Sequence, residues 1–95
     1  MSMQVLKVSG DSNINAVSQA ILENVIRDSI ISIDCIGIKA AYITTKALIQ
    51  TTEVLVKRGY RFNLRPYYVK VNVPENGMQP ISKTAIRWTV IAKKK

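Results

Sequence analysis

Residues 60–93 read YRFNLRPYYVKVNVPENGMQPISKTAIRWTVIAK, and this stretch decides the fold. Two alternating apolar runs flank Glu75-Asn76-Gly77-Met78. Asn-Gly is a strong turn signal because both residues tolerate positive φ. The stretch therefore predicts a long β-hairpin, with strands over Tyr60–Val73 and Ile81–Lys93. In the second strand Thr84, Ile86, Trp88, Val90 and Ala92 share one face, and Lys83, Ala85, Arg87, Thr89, Ile91 and Lys93 share the other. In the first strand the apolar residues Phe62 and Leu64 occupy even positions, whereas Tyr67, Val69, Val71 and Val73 occupy odd ones. The phase changes at Pro66, which predicts a bulge or sharp bend there.

Charge is segregated onto the same stretch. Residues 57–95 carry ten basic side chains and one acid, Glu75, whereas residues 1–56 carry four basic side chains and five acids. The formal charge of +8 thus divides into about −1 and about +9. A basic hairpin suits a phosphate backbone; solvation of an exposed sheet face is the plainer explanation of the same charges.

Upstream, Val5–Ser9 reads as a first strand closed by Gly10. Asp11, Ser12 and Asn13 are good N-cap residues. The spacing of Ile14, Val17, Ala20, Ile21, Asn24 and Val25 predicts a helix to about Asp28. Ile30–Ile36 holds apolar residues on both faces, with Ser32 and Asp34 on one of them, which suits an inner strand. Residues 39–58 predict a second helix with a core stripe of Ala40, Ile43, Ala47, Val54 and Leu55, completed by Thr44, Leu48 and Thr51. Glu53 and Lys57 are spaced to pair on its outside, and Gly59 is the expected stop. Its four threonines are poor helix formers. They predict a helix held by packing, with a second subunit as one source of that packing. The element order is β-α-β-α-β-β, an α+β two-layer domain with two helices on one face of a mixed four-stranded sheet.

Ninety-five residues are expected to form one domain. The single cysteine, Cys35, excludes an internal disulfide and reads as a small buried hydrophobe in a reducing compartment. No apolar run approaches the roughly 20 residues of a membrane span, and residues 1–4 lack a signal-peptide apolar region. The chain is expected to be intracellular, either cytoplasmic or nuclear/nucleoid-associated, without a membrane partner. There is no histidine, no cysteine pair for zinc, no phosphate-binding Gly-Lys-Ser/Thr loop and no Gly-x-Gly-x-x-Gly. The six acids are scattered, and Asp34 reads as a solvated or hydrogen-bonded strand residue. No set of nucleophile, base and orienting group can be assembled, so neither catalysis nor a cofactor is expected.

Taken in order, these motifs resemble the Alba superfamily of small nucleic-acid-binding proteins, which includes a branch similar to stage V sporulation protein S. Leu6-Lys7-Val8-Ser9 and Asn15-Ala16-Val17 look most like the sporulation branch. Ile36-Gly37-Ile38-Lys39-Ala40, Lys46-Ala47 and Gly59 are similar to both. The hairpin with Asn76-Gly77, Ser82-Lys83-Thr84-Ala85-Ile86 and the lysine tail looks more like Alba proteins proper. The resemblance implies a dimer that binds DNA or RNA through the loop after strand 1 (Ser9 to Asn13), the loop after strand 2 (Ile38 and Lys39) and the hairpin (about Lys70 to Lys83). Alba proteins carry adjacent lysines in the first loop. Here that loop is Gly10-Asp11-Ser12-Asn13, with an acid and no base.

The expected function is therefore non-catalytic nucleic-acid binding by a homodimer. Lys39, Arg61, Arg65, Lys70, Lys83, Arg87 and the Lys93 tail are candidate phosphate contacts, with Ser9, Asn13 and Asn76 at the loops and hairpin tip. Tyr67 and Tyr68 read either as base-stacking rings or as packing groups, and Trp88 as core. The alternatives are a protein-interaction module similar to stage V sporulation protein S, or a small subunit of an RNA–protein particle.

Overall fold

The computed structural model describes residues 4–75 and 77–95. The elements run β1 (Gln4–Val8), α1 (Ile14–Asp28), β2 (Ile30–Cys35), α2 (Ile38–Lys57), β3 (Tyr60–Glu75) and β4 (Met78–Lys94). They form one mixed sheet in the order β1-β2-β4-β3. β1 lies parallel to β2, and β4 is antiparallel to both β2 and β3. The expected element order and inner position of β2 are as observed, and hairpin pairing extends further than expected, from Tyr60↔Lys94 to Glu75↔Met78.

The sequence builds the helix ends directly. Asn13 caps α1, its side-chain oxygen accepting the Ala16 backbone N–H at 3.0 Å. Gly59 follows α2 with φ 79°, a left-handed conformation that needs no Cβ. Ile21, Val25, Ile31, Ile33, Leu55 and Val90 are fully buried between the helices and one sheet face. Each such side chain contributes about 1.5–3 kcal/mol. Cys35 belongs to this core, its thiol donating to the Ile86 carbonyl at 3.5 Å. Burial pushes the thiol pKa up, opposed by the neighbouring Thr44 hydroxyl.

Two local expectations are corrected. The strand does not bulge at Pro66, which pairs in register with Trp88; the register shift lies between Val73 and Glu75. The phase of apolar residues changes because the covered face changes. Phe62 and Leu64 pack onto the core beneath the helices. Beyond Pro66 the strand outruns the helices, and Tyr67, Val69, Val71 and Val73 are half-buried on the opposite face. Pro66 is tolerated without a bulge because β3 is an edge strand. The Glu53–Lys57 pair is not formed; among the described residues the ion pairs are Arg27–Asp28 and Arg87–Asp34.

Asn13→Ala removes a cap that satisfies an otherwise unpaired N–H. The variant is expected to lose about 1 kcal/mol, seen as a lower urea midpoint with unchanged slope.

Candidate nucleic-acid interface

β2 ends at Cys35, opposite Ile86, so the eight residues Met78–Ala85 of β4 pair only with β3. At about 3.3 Å per residue this free arm projects roughly 25 Å. It gives the molecule its long dimension, 49 Å against 26 and 18 Å.

The strand registers sort the candidate basic residues by face. Arg61, Arg65, Lys83, Arg87 and Lys93 share the sheet face that carries no helix, together with Lys7 and Asp34. Lys70 lies on the opposite face of the arm, where its ammonium donates to Thr84 Oγ1 at 2.7 Å. Arg65 lies over the Tyr67 ring, 5.1 Å from its centroid. Tyr67 is held in the sheet by a 2.9 Å hydrogen bond between its hydroxyl and that of Thr89. Tyr68, on the other face, is exposed. Trp88 packs at the margin of the core.

Arg87 is engaged within the protein. Its Nε donates to Asp34 Oδ1 at 2.6 Å and its Nη2 to Asp34 Oδ2 at 2.8 Å. The Asp34 side chain is only 8% exposed and that of Arg87 27%. Hydrogen bonding to Asp34 raises the Arg87 pKa above its ordinary value, against the opposing effect of burial. The pair neutralises a buried carboxylate, so Arg87 brings less free charge to this face than its sequence position suggests. Of the two readings of Asp34, solvated or hydrogen-bonded, the structure shows the second.

The first loop is similarly self-contained. Ser12 Oγ accepts the Ser9 N–H at 3.0 Å, and Ser9 Oγ accepts the Asp11 N–H at 3.3 Å. Asn13 is occupied as the cap of α1. Lys39 lies directly against this loop: a Cβ added to Gly10 would sit 3.2 Å from Lys39 Cβ. The loop without a base thus has one brought to it from the start of α2. Asn76 lies outside the described residues.

Two features were not singled out by the sequence reading. One is a groove of about 410 Å³ where the arm leaves the sheet, lined by residues including Lys7, Ile36, Val71 and Lys83. The other is a second apolar stripe on α2, opposite its buried face. Ile38, Tyr42, Ile49 and Val56 are 89%, 58%, 54% and 62% exposed. With Thr45 and Thr52 they repeat at alternating intervals of four and three, the spacing of a helix-pairing seam. That spacing was legible in the sequence, but the buried stripe explained the helix without it.

The sheet order, the two helices on one face and the projecting hairpin define an Alba-like fold. Among solved structures, Alba from Thermoplasma volcanium matches with a TM-score of 0.57 over 92% of this chain and 98% of that one, at 13% identity. A family model, stage V sporulation protein S (SpoVS), matches residues 4–93, and the chain belongs to this family. A precorrin-6y C5,15-methyltransferase from Geobacter metallireducens also matches, over 96% of this chain and 44% of that one at 13% identity, but its TM-score of 0.39 carries no argument. No curated protein sequence matches the chain. Among the described residues no helix is long and apolar enough to cross a membrane.

Arg87→Ala strands the Asp34 carboxylate. It is expected to cost about 2–3 kcal/mol in urea unfolding, below the roughly 3–5 kcal/mol of a fully buried pair because Arg87 is partly exposed. Replacing both partners together, as Asp34→Leu with Arg87→Met, should recover most of the loss.

Proposed function

We propose that this SpoVS-family protein is a non-catalytic nucleic-acid-binding protein that acts as a homodimer and grips the phosphate backbone with its β3–β4 hairpin. The observation that carries the reading is the placement of Arg61, Arg65, Lys83 and Lys93 on the helix-free face of two strands that outrun the rest of the sheet. Arg61 and Arg65 are the second and sixth residues of the β3 edge strand, on one face and exposed. Such a row follows a backbone without reading sequence. Lys70 adds charge on the far side of the arm, and Lys39 supplies it beside the first loop. Ser9 and Asn13 shape the first loop more than they contact phosphate, since the Ser9 N–H and the side chains of both residues are engaged locally. Arg87 acts through the sheet, by holding Asp34, more than through phosphate.

The dimer forms through the exposed stripe of α2, with a second copy as its occupant. An antiparallel pairing centred at the level of Ala47 sets Ile38 against Val56 of the second copy, Tyr42 against Thr52 and Thr45 against Ile49. The same register brings Lys39 beside Glu53 of the second copy on the flank of the seam, twice by symmetry. Lys46, which lies over its own Tyr42 ring at 5.1 Å, meets its symmetry mate near the axis, a like-charge contact that works against the two Lys39–Glu53 attractions and is screened with them as salt rises.

Fluorescence anisotropy with labelled duplex DNA across a salt series tests the first part. Binding should weaken steeply with salt, and Arg61→Ala, Arg65→Ala and Lys93→Ala combined should reduce the slope by about 2–3 units, at about 0.9 per phosphate contact. Absence of binding to DNA and RNA at low salt would overturn the reading. Ile49→Asp should convert a dimer into a folded monomer by sedimentation velocity; a variant that remains dimeric would exclude the α2 seam.

A further inference from the structure

The groove at the root of the arm has the chemistry of a nucleotide site. Its lining places Val71 and Val73 of β3 and Ile36, just beyond β2, around one space of about 410 Å³. That volume falls in the lower range of small-ligand sites. Val71 and Val73 are half-buried although no helix covers the arm. Lys7 from β1 and Lys83 from β4 line the same space, and both are exposed. Asp34 is the one acid among the lining residues, and its two oxygens already accept hydrogen bonds from Arg87. The site is therefore an apolar slot with two ammonium groups whose charge is not cancelled by the neighbouring carboxylate.

We infer that this groove receives one unpaired nucleotide of a single-stranded nucleic acid, its base against Val71, Val73 and Ile36 and its phosphate between Lys7 and Lys83. The inference rests on the proposed backbone-binding function and deepens it. A base has two apolar faces and is joined to an anion, which matches apolar walls bordered by lysines. A base inside a duplex must leave its stack to enter such a slot, so single strands are favoured. The basic row of the hairpin holds the neighbouring phosphates, and the groove adds a contact that phosphate alone does not supply.

The test compares four ligands on the full chain: a fluorescein-labelled single-stranded RNA of about 20 nucleotides, the same strand with abasic positions, the corresponding duplex, and adenosine monophosphate. The intact single strand is expected to bind about tenfold more tightly than the abasic strand or the duplex. Ile36→Ala with Val71→Ala should remove that preference, with the salt slope and the duplex affinity unchanged. Retained duplex binding also shows that the variant is folded. In methyl NMR spectra the intact strand should shift the Val71 and Val73 signals, and the abasic strand should not. Equal affinity for intact and abasic strands overturns the groove assignment while leaving backbone binding in place. A response to adenosine monophosphate with none to the strand also overturns it, in favour of a free-nucleotide site. Failure of every polynucleotide to bind overturns the proposed function itself.

Discussion

Two helices cover one face of a sheet whose two longest strands outrun them, and most of the molecule follows from that mismatch. Where cover exists, the core is closed: Ile31 and Ile33 of β2 and Val90 of β4 are fully buried against α1 and α2. Where it ends, β3 and β4 have only each other. From Val69↔Ala85 outward their facing backbone groups pair with each other and the outer edges are open to water, so the arm can leave the body without stranding polar atoms. Its side chains have no second layer to join. This is where an extended surface for a partner can be built at little cost to the core.

The uncovered face still holds buried groups, and those of β2 are polar. Ser32 and Asp34 are buried there, although both alternate away from the helices. Lys7, Asp34, Arg87 and Tyr67 lie opposite one another across the four strands. The bidentate Arg87–Asp34 contact lets an acid sit in the centre of a basic face without repelling an anion there. It also fixes the guanidinium in place, so the arginine that is nearest the middle of the surface becomes part of the scaffold. The freely exposed charge is displaced to the edge strand and the arm.

The element order was legible because each signal had a simple physical origin. Asn13 before an apolar helical stripe, Gly59 after one, and alternating runs around Asn76-Gly77 leave few other readings. The phase change at Pro66 was visible too, but its cause was not. Alternation reports which face is covered, and a change of cover and a backbone slip produce the same pattern; only the register with β4 separates them. The candidate site was legible as a charge segregation, not as a set of contacts. Sequence places Lys70 and Lys83 on one hairpin, but cross-strand register puts them on opposite faces. Sequence also cannot show that Arg87 finds Asp34, 53 residues away, or that Lys39 packs over Gly10.

The two stripes of α2 show the same limit from another side. Ala40, Ile43, Ala47, Leu48 and Leu55 account for the helix by burial. Ile38, Tyr42, Ile49 and Val56 lie outside the core of one chain, and water around four large exposed apolar side chains opposes their position. Helix propensity does not explain them either, since tyrosine, isoleucine and valine are weaker helix formers than the lysine, glutamate or alanine that would otherwise serve an exposed face. A seam with alternating intervals of four and three, reading the same in both directions about its centre, is what a helix pairing with its own copy requires. In the dimer proposed above, a two-fold axis through α2 would also set the spacing of two basic hairpins, and a single polynucleotide meeting both would be bound with the effective concentration of a linked pair.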